Sequence, residues 1–109
     1  MKTQNEVQLI GYLGIDPIIS KLANGITKAR LRLATDRYRM DNAGNMQHKV
    51  TWHDVVVWGK LAETIENVFI KGSHVLVKGP MIHRTYADTS GHTRYITEVE
   101  AALLMNLDR

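Results

Sequence analysis

Apolar and polar residues alternate in short stretches along most of the chain, and turn-forming residues separate these stretches. The clearest case lies between residues 26 and 39, where apolar and cationic side chains take turns. Because successive side chains of a strand point to opposite faces, this segment predicts a strand with one core face and one cationic face. The apolar set is Ala29, Leu31 and Leu33, and the cationic set is Lys28, Arg30 and Arg32.

The same alternation elsewhere predicts a mostly β protein with a single helix. Polar turns such as Ala23-Asn24-Gly25 and Asp88-Thr89-Ser90-Gly91 divide the strands. The predicted strands are Val7–Tyr12, Ile18–Leu22, Ile26–Arg39, Lys49–Gly59, His74–Lys78 with Met81–Ala87, and His92 to about Leu107.

A helical period of apolar residues occurs at Lys60–Ile70, and Lys71 and Gly72 follow it as a C-terminal cation and a stop signal. The resulting order, β-β-β-α-β-β, favours an all-β OB-fold. This fold is a five-stranded, partly open barrel, here with one helix between strands 3 and 4. An isolated two-layer sheet and a small β-sandwich are alternatives.

A chain of 109 residues can bury a core of its own, and we expect a single domain over residues 1–109. The absence of Cys excludes disulfides, Cys-based zinc sites and thiol nucleophiles, and it fits a reducing compartment. The sequence contains neither a signal peptide nor the roughly 18 apolar residues of a membrane span. We therefore expect a cytoplasmic protein with no membrane partner.

The net charge of +3 conceals an uneven distribution of charge. Residues 21–49 carry seven cations and two anions, a local charge of +5, and the rest of the chain sums to −2. This asymmetry indicates a face that meets a polyanion, although a solvated basic surface explains it equally well.

Catalytic chemistry has little support in the sequence. The five His are scattered without a metal-ligand spacing, the acids form no evident two-metal cluster, and no phosphate-binding or nucleophile motif occurs. We therefore expect no enzyme activity, no cofactor and no metal.

The two Trp suit a different chemistry, because unpaired nucleic acid presents flat bases and a line of phosphates. Trp52 and Trp58 share a parity on the third long strand, where six residues correspond to about 20 Å. Core packing is the usual role of Trp. Asp54 between them would be awkward in a dry core, however, and Val55 and Val57 on the other parity already supply core residues. We therefore expect both indoles to stack with bases.

Two tyrosines are candidates with two interpretations each. Tyr86 lies near Arg84 and precedes a polar hairpin, and Tyr38 lies between Arg37 and Arg39. For both, base stacking and simple cross-strand packing are equally good interpretations of the local sequence.

Five stretches match a known family in order and spacing across nearly the whole chain. In these stretches the sequence resembles the bacterial single-stranded DNA-binding protein family. They are Leu9–Pro17 (LIGYLGIDP), Leu33–Thr35 (LAT), Thr51–Glu63 (TWHDVVVWGKLAE), Lys71–Ser73 (KGS) and Arg94–Glu98 (RYITE).

The resemblance implies an OB fold, a homotetramer with DNA wrapped around it, and binding of single-stranded DNA with little sequence preference. It also implies protection of unpaired strands in replication, recombination and repair. From strand parity we add three cations to the residues that the resemblance implies, namely Lys28, Arg30 and Arg32. The implied stacking residues are Trp52, Trp58 and Tyr86, and the implied phosphate contacts are Lys60, Lys71, Arg84 and Arg94.

Three departures from the family pattern matter. A family aromatic would fall at Arg39, so Tyr38 could replace it only if a β-bulge turned it to the same face. Asp54 stands where the family often has Arg, which places a like charge near phosphate and weakens binding locally. The chain ends at Asp108-Arg109 without the family's linker and acidic tip, so we expect no tail-mediated recruitment of repair enzymes.

Other functions remain alternatives from the sequence alone. A tail-less accessory module similar to the primosomal replication proteins would act mainly through protein contacts, although such modules usually lack the paired aromatics of the third strand. An OB-fold nuclease would need acids clustered around a metal. RNA is an alternative ligand, because stacking ignores the sugar unless the 2′-hydroxyl is contacted.

Overall fold

The computed structural model describes residues 3–108 as one curled, open β-sheet with a helix packed against its third and fourth strands. The all-β prediction with one helix is confirmed. The elements are β1 (Val7–Leu13), β2 (Ile18–Lys21), β3 (Thr27–Met40), β4 (Met46–Trp58), α1 (Gly59–Ile65), β5 (His74–Gly79), β6 (Met81–Ala87), β7 (Thr93–Glu100) and β8 (Leu103–Asn106).

The strands lie in the order β6-β7-β4-β3-β1-β5-β8, and β2 pairs with β3 beside this path. Neighbours are antiparallel except for β4 and β7, which run parallel. The predicted long final strand is divided at Ala101 and Ala102 into β7 and β8. Pro80, which has no backbone N–H to donate, separates β5 from β6.

The core lies on one face of the sheet and under α1. In the first half of β3 the odd-numbered residues from Thr27 to Leu33 are buried and the even-numbered Arg30 and Arg32 are exposed, as the alternation predicts. The helix adds Ala62 and Ile65, and Phe69 follows it into the same core. Strand residues of this core include Leu13, Leu31, Leu33, Val55, Val57, Val75 and Val77.

The helix is shorter than predicted, since it ends at Ile65 rather than Ile70. After that point the chain closes one more turn and then leaves the helical pattern. The Ile65 carbonyl accepts from Val68 and Phe69, and the Ser73 hydroxyl accepts from the Ile70 N–H. The Lys71 N–H donates to the carboxylate of Asp16 at 2.7 Å. The apolar period therefore extends beyond the helix because Phe69 is buried from a turn.

The hairpin between β3 and β4 is longer and tighter than predicted. Strand β4 begins at Met46 instead of Lys49, and the turn is held by the Asp41 carboxylate, which accepts from Ala43 and Asn45 N–H groups. These bonds, with that from Gln47, hold the pKa of Asp41 below its ordinary value. The hairpin thus projects as an ordered two-stranded arm.

Among residues 3–108, α1 is the single helix, and no helix there has the length and hydropathy of a membrane span.

Candidate nucleic-acid interface

The face of the sheet opposite the core carries a row of exposed aromatic side chains. Direct cross-strand pairs place even-numbered residues of β3, β4, β6 and β7 on this side, which we call the aromatic face. Trp52 is 48% exposed and Trp58 is 39% exposed, so the structure places both indoles at the surface rather than in the core. Tyr86 is 47% exposed on the same face.

Cations lie directly on these rings. The Lys28 Nζ is 5.0 Å from the centre of the Trp58 ring, and the Arg32 guanidinium is 5.4 Å from that of Trp52. Lys28 is the direct cross-strand partner of Trp58, and Arg32 is diagonal to Trp52. Both contacts are in the range of cation–π attraction. Each indole is therefore held at one side by the protein's own charge.

Trp52 also depends on a glycine that the sequence analysis did not select. A Cβ on Gly14 would lie 2.2 Å from the Trp52 Cζ3 and 2.5 Å from its Cη2. The Gly14 N–H donates to the Arg32 carbonyl at 2.9 Å, which fixes this approach. Neither the periodicity nor a motif signals the contact, because it joins the end of β1 to the middle of β4.

The cations around Tyr86 have counter-ions within the protein. The Arg84 Nε donates to the Glu98 carboxylate at 2.7 Å, and the Arg94 Nε donates to Asp88 at 2.8 Å. The bond to Glu98 raises the pKa of Arg84, and the bond from Arg94 lowers the pKa of Asp88. Arg84 is also 6.0 Å from the Tyr86 ring. Both arginines are therefore placed beside the ring but are partly neutralised.

Tyr38 needs no bulge to reach the aromatic face, which corrects the expectation from sequence. The β3–β4 register runs without interruption from Lys28–Trp58 to Met40–Met46, so Tyr38 shares a face with both Trp. Its ring stacks on His48 at 4.6 Å and is 65% exposed. His48 in turn bonds to Asp36 at 2.7 Å. One face of the Tyr38 ring is thus covered by its own strand pair.

The remaining predicted cations are spread around this face. Arg30 is exposed on β3 opposite Val56, and Lys60 is exposed in the first turn of α1. Lys71 lies in the turn before β5, where the next residue, Gly72, donates to the carbonyl of Leu13. Because Leu13 adjoins Gly14, Lys71 is brought toward the rim near Trp52.

The other part of the same outer surface carries a cluster of apolar side chains. Strands β1, β5 and β8 place alternate side chains on it, and the direct pairs join Ile10 to Leu76 and Leu76 to Met105. We call this region the apolar face. Its members are Ile10, Tyr12, Leu76, Leu103 and Met105.

Within residues 3–108, no group of three or more His, Asp or Glu side chains is arranged to hold a metal ion. The buried side-chain polar atoms of this part of the chain all have hydrogen-bond partners. The most exposed aromatic of the described residues, which the sequence analysis did not select, is Tyr95; it is 82% exposed on the opposite side of β7.

Comparisons with known proteins agree with this geometry. Residues 4–107 match the sequence model of the single-strand binding protein family. The chain is 36% identical over 110 residues to Single-stranded DNA-binding protein 1 of Xylella fastidiosa (strain 9a5c), which covers 100% of this chain and 81% of that protein.

Two solved structures are similar in fold. The Plasmodium falciparum SSB in complex with single-stranded DNA superposes with a TM-score of 0.90 and 30% identity, covering 99% of this chain and 98% of that one. A deletion mutant of the single-stranded DNA-binding protein from Thermus aquaticus gives a TM-score of 0.84 and 25% identity, covering 96% of this chain and 51% of that one. The predicted OB-fold is confirmed by these neighbours.

Proposed function

Because the chain belongs to the single-strand binding protein family and binds single-stranded DNA, we propose how it holds the strand. Bases stack on Trp52, Trp58 and Tyr86, and the cations beside these rings neutralise phosphates. It acts as a binding protein and not as an enzyme.

One observation carries the proposed mechanism: two half-exposed indoles lie on one face of β4, each beside a cation of β3. Flat rings accept any base by stacking, and nearby cations follow the backbone, so the arrangement binds with little dependence on sequence. The paired indoles therefore favour DNA binding over the accessory-module alternative.

The test is a fluorescence titration with oligo-dT of graded length, using Trp52→Ala and Trp58→Ala. Each stacked base contributes about 1–3 kcal/mol, so each variant should raise the dissociation constant by roughly fivefold to 150-fold. Tyr95→Ala is the matched control, because this ring is more exposed but lies on the opposite side of β7. An unchanged dissociation constant in Trp52→Ala would remove Trp52 from the site. An equal loss in Tyr95→Ala would contradict the assignment of the face.

The salt dependence of binding separates the contribution of the cations from that of the aromatic rings. The logarithm of the association constant should decrease linearly as the logarithm of the salt concentration increases, with a slope of roughly −0.7 for each phosphate neutralised. Lys60→Ala and Lys71→Ala should each reduce the steepness, whereas Trp58→Ala should leave it unchanged while weakening binding. A steepness that is unaffected by both lysine variants would exclude them as phosphate contacts.

We also propose that the chain assembles as a homotetramer through the apolar face. Water-exposed Ile10 of β1 and Leu103 and Met105 of β8, on either side of β5, form the kind of patch that marks a protein interface. In the described part of the chain, Val7–Gly11 pair on one side with β5 alone, so the other edge of β1 is free to pair. A second copy can use this edge and this face together.

Light scattering tests the assembly directly. The wild type should have four times the 12.4 kDa mass of one chain. Ile10→Glu places a charge in the apolar face and should reduce the mass. Ile70→Glu, at a side chain that is 66% exposed outside this face, should leave the mass unchanged. A monomeric wild type, or an Ile10→Glu variant of wild-type mass, would contradict the proposal.

Roles in replication, recombination and repair follow as proposals from the family, as does a cytoplasmic location. They require unpaired DNA to be present where the protein acts. Complementation of a strain depleted of its own single-stranded DNA-binding protein would test these roles together.

A further inference from the structure

A carboxylate without a protein partner lies in the middle of the aromatic face. Asp54 is two residues from Trp52 and four from Trp58 on the same side of β4. Its side chain is partly exposed. Within residues 3–108, no side chain forms an ion pair or a hydrogen bond with it. A ligand that reaches the face therefore meets a free hydrogen-bond acceptor.

The groups that could satisfy Asp54 are directed elsewhere. Arg32 is its direct partner across β3 and β4, but the guanidinium lies over Trp52. On the other side, Glu98 is paired with Asp54 across the parallel strands and is itself an acid. Glu98 is 5% exposed, and both of its carboxylate oxygens already accept from Arg84. Of the two facing carboxylates, Asp54 is the one left available.

Asp54, which lies between Trp52 and Trp58 along β4, also lines a small groove. The groove combines an apolar wall with charged groups, as a flat base with polar edges requires. It is lined by Ile15, Ile18, Arg30, Arg32, Asp54 and Glu98. Since Trp52 and Trp58 are about 20 Å apart along the strand, nucleotides between the two stacked bases must pass this groove.

The chemistry of a carboxylate distinguishes the bases. An ionised Asp accepts hydrogen bonds and donates none. Cytosine offers its N4 amino group, which Asp or Glu accepts in protein–DNA contacts. Thymine offers one N3–H between two carbonyl oxygens, and both oxygens are repelled by the carboxylate. A carboxylate at this point therefore favours cytosine over thymine.

We propose that Asp54 is a specificity-determining residue that biases this site toward bases with an amino group and against thymine. The inference rests on the proposed function, since it assigns a role within the same DNA-binding face. It also gives Asp54 two opposing effects. The negative charge weakens the binding of every DNA strand. When cytosine is present, its hydrogen bond to the carboxylate offsets part of the lost binding free energy.

The test compares dissociation constants for oligo-dT and oligo-dC of equal length at mildly alkaline pH, where both remain single-stranded. The quantity of interest is the ratio of the dT to the dC constant, because the general charge effect cancels in it. Asp54→Ala should lower this ratio by about threefold to tenfold, as expected for the net contribution of one ordinary hydrogen bond. Asp54→Glu, which keeps the carboxylate, should have a ratio between those of the wild type and Asp54→Ala.

Glu100→Gln is the matched control. Glu100 is paired with Val56 on the same face, and its substitution by Gln removes the same negative charge as Asp54→Ala. It should leave the ratio unchanged while strengthening binding to both oligonucleotides. An unchanged ratio in Asp54→Ala, or an equal change in Glu100→Gln, would overturn the inference even though both DNAs still bind. Failure of the wild type to bind either oligonucleotide would instead overturn the proposed function.

Discussion

Replacing Gly14 with Ala is expected to disturb DNA binding far more than folding. The added methyl would lie 2.2 Å from the Trp52 ring. Since unbonded carbons rest about 3.5 Å apart, the ring edge must move by about 1.3 Å. The indole is half-exposed, so it can swing outward, away from the position that Arg32 supports. The stacking platform is then displaced while the core is untouched.

The stability change in Gly14→Ala should be small because two effects oppose each other. Overpacking costs about 1–3 kcal/mol where neighbours cannot yield, and here the mobile ring places the cost at the low end. The loss of chain entropy in the unfolded state stabilises the Ala variant by about 0.4–1 kcal/mol, since Gly14 does not have a positive φ. Binding, in contrast, should weaken by at least about fivefold, up to the loss predicted for Trp52→Ala.

A double-mutant cycle measures this coupling. Thermal denaturation and fluorescence titration are carried out on wild type, Gly14→Ala, Trp52→Ala and the double variant. Since Tyr86 and Trp58 remain, binding stays measurable in every member. If the methyl acts only through the ring, Gly14→Ala should have no further effect on binding in the Trp52→Ala background. Wild-type affinity in Gly14→Ala, or an equal loss in both backgrounds, would refute the reasoning.

Three further predictions concern charge. Arg32→Lys should keep the salt dependence of binding but alter Trp52 emission, because a lysine keeps the charge and loses the planar group on the ring. Glu98→Gln should free Arg84 and make the salt dependence steeper by about 0.7, whereas an unchanged slope would contradict a phosphate contact by the freed Arg84. Burial lowers the pKa of His53 in the folded protein below its ordinary 6.5. The unfolded chain therefore binds this proton more readily. The free energy of unfolding should be highest above pH 6.5 and should decrease as the pH falls from 6.5 toward the folded pKa. Thermal denaturation of His53→Gln should show a weaker loss in that window, and an identical loss would exclude His53 as its source.

Alternation in the sequence predicted which side of β3 meets solvent. The burial of Leu31 and Leu33 and the exposure of Arg30 and Arg32 follow from a period of two that no bulge interrupts. The same parity placed Trp52 beside Asp54, which was enough to expect an exposed ring. Where one strand alone decides a side chain's position, the sequence was informative.

Contacts between distant strands could not be predicted in the same way. The pairing of Arg84 with Glu98 depends on the register of β6 and β7, and that of Glu98 with Asp54 depends on a parallel alignment of β4 and β7. Neither register has a signal within a single strand. The approach of Gly14 to Trp52 is of the same kind. The sequence thus indicated the residue types of the site, whereas their counter-ions and supports required the fold.

Ala34 has a direct strand partner on each side, Tyr12 of the apolar face and Trp52 of the aromatic face. Only a methyl group therefore separates a side chain proposed to meet another copy from one proposed to meet a base. A change in how β1 docks in an assembly can therefore reach the Trp52 indole through β3 alone, with no loop or hinge between them. The side chains proposed for assembly and for DNA binding thus lie on neighbouring strands of one sheet, and a bulky residue in place of Ala34 would disturb both.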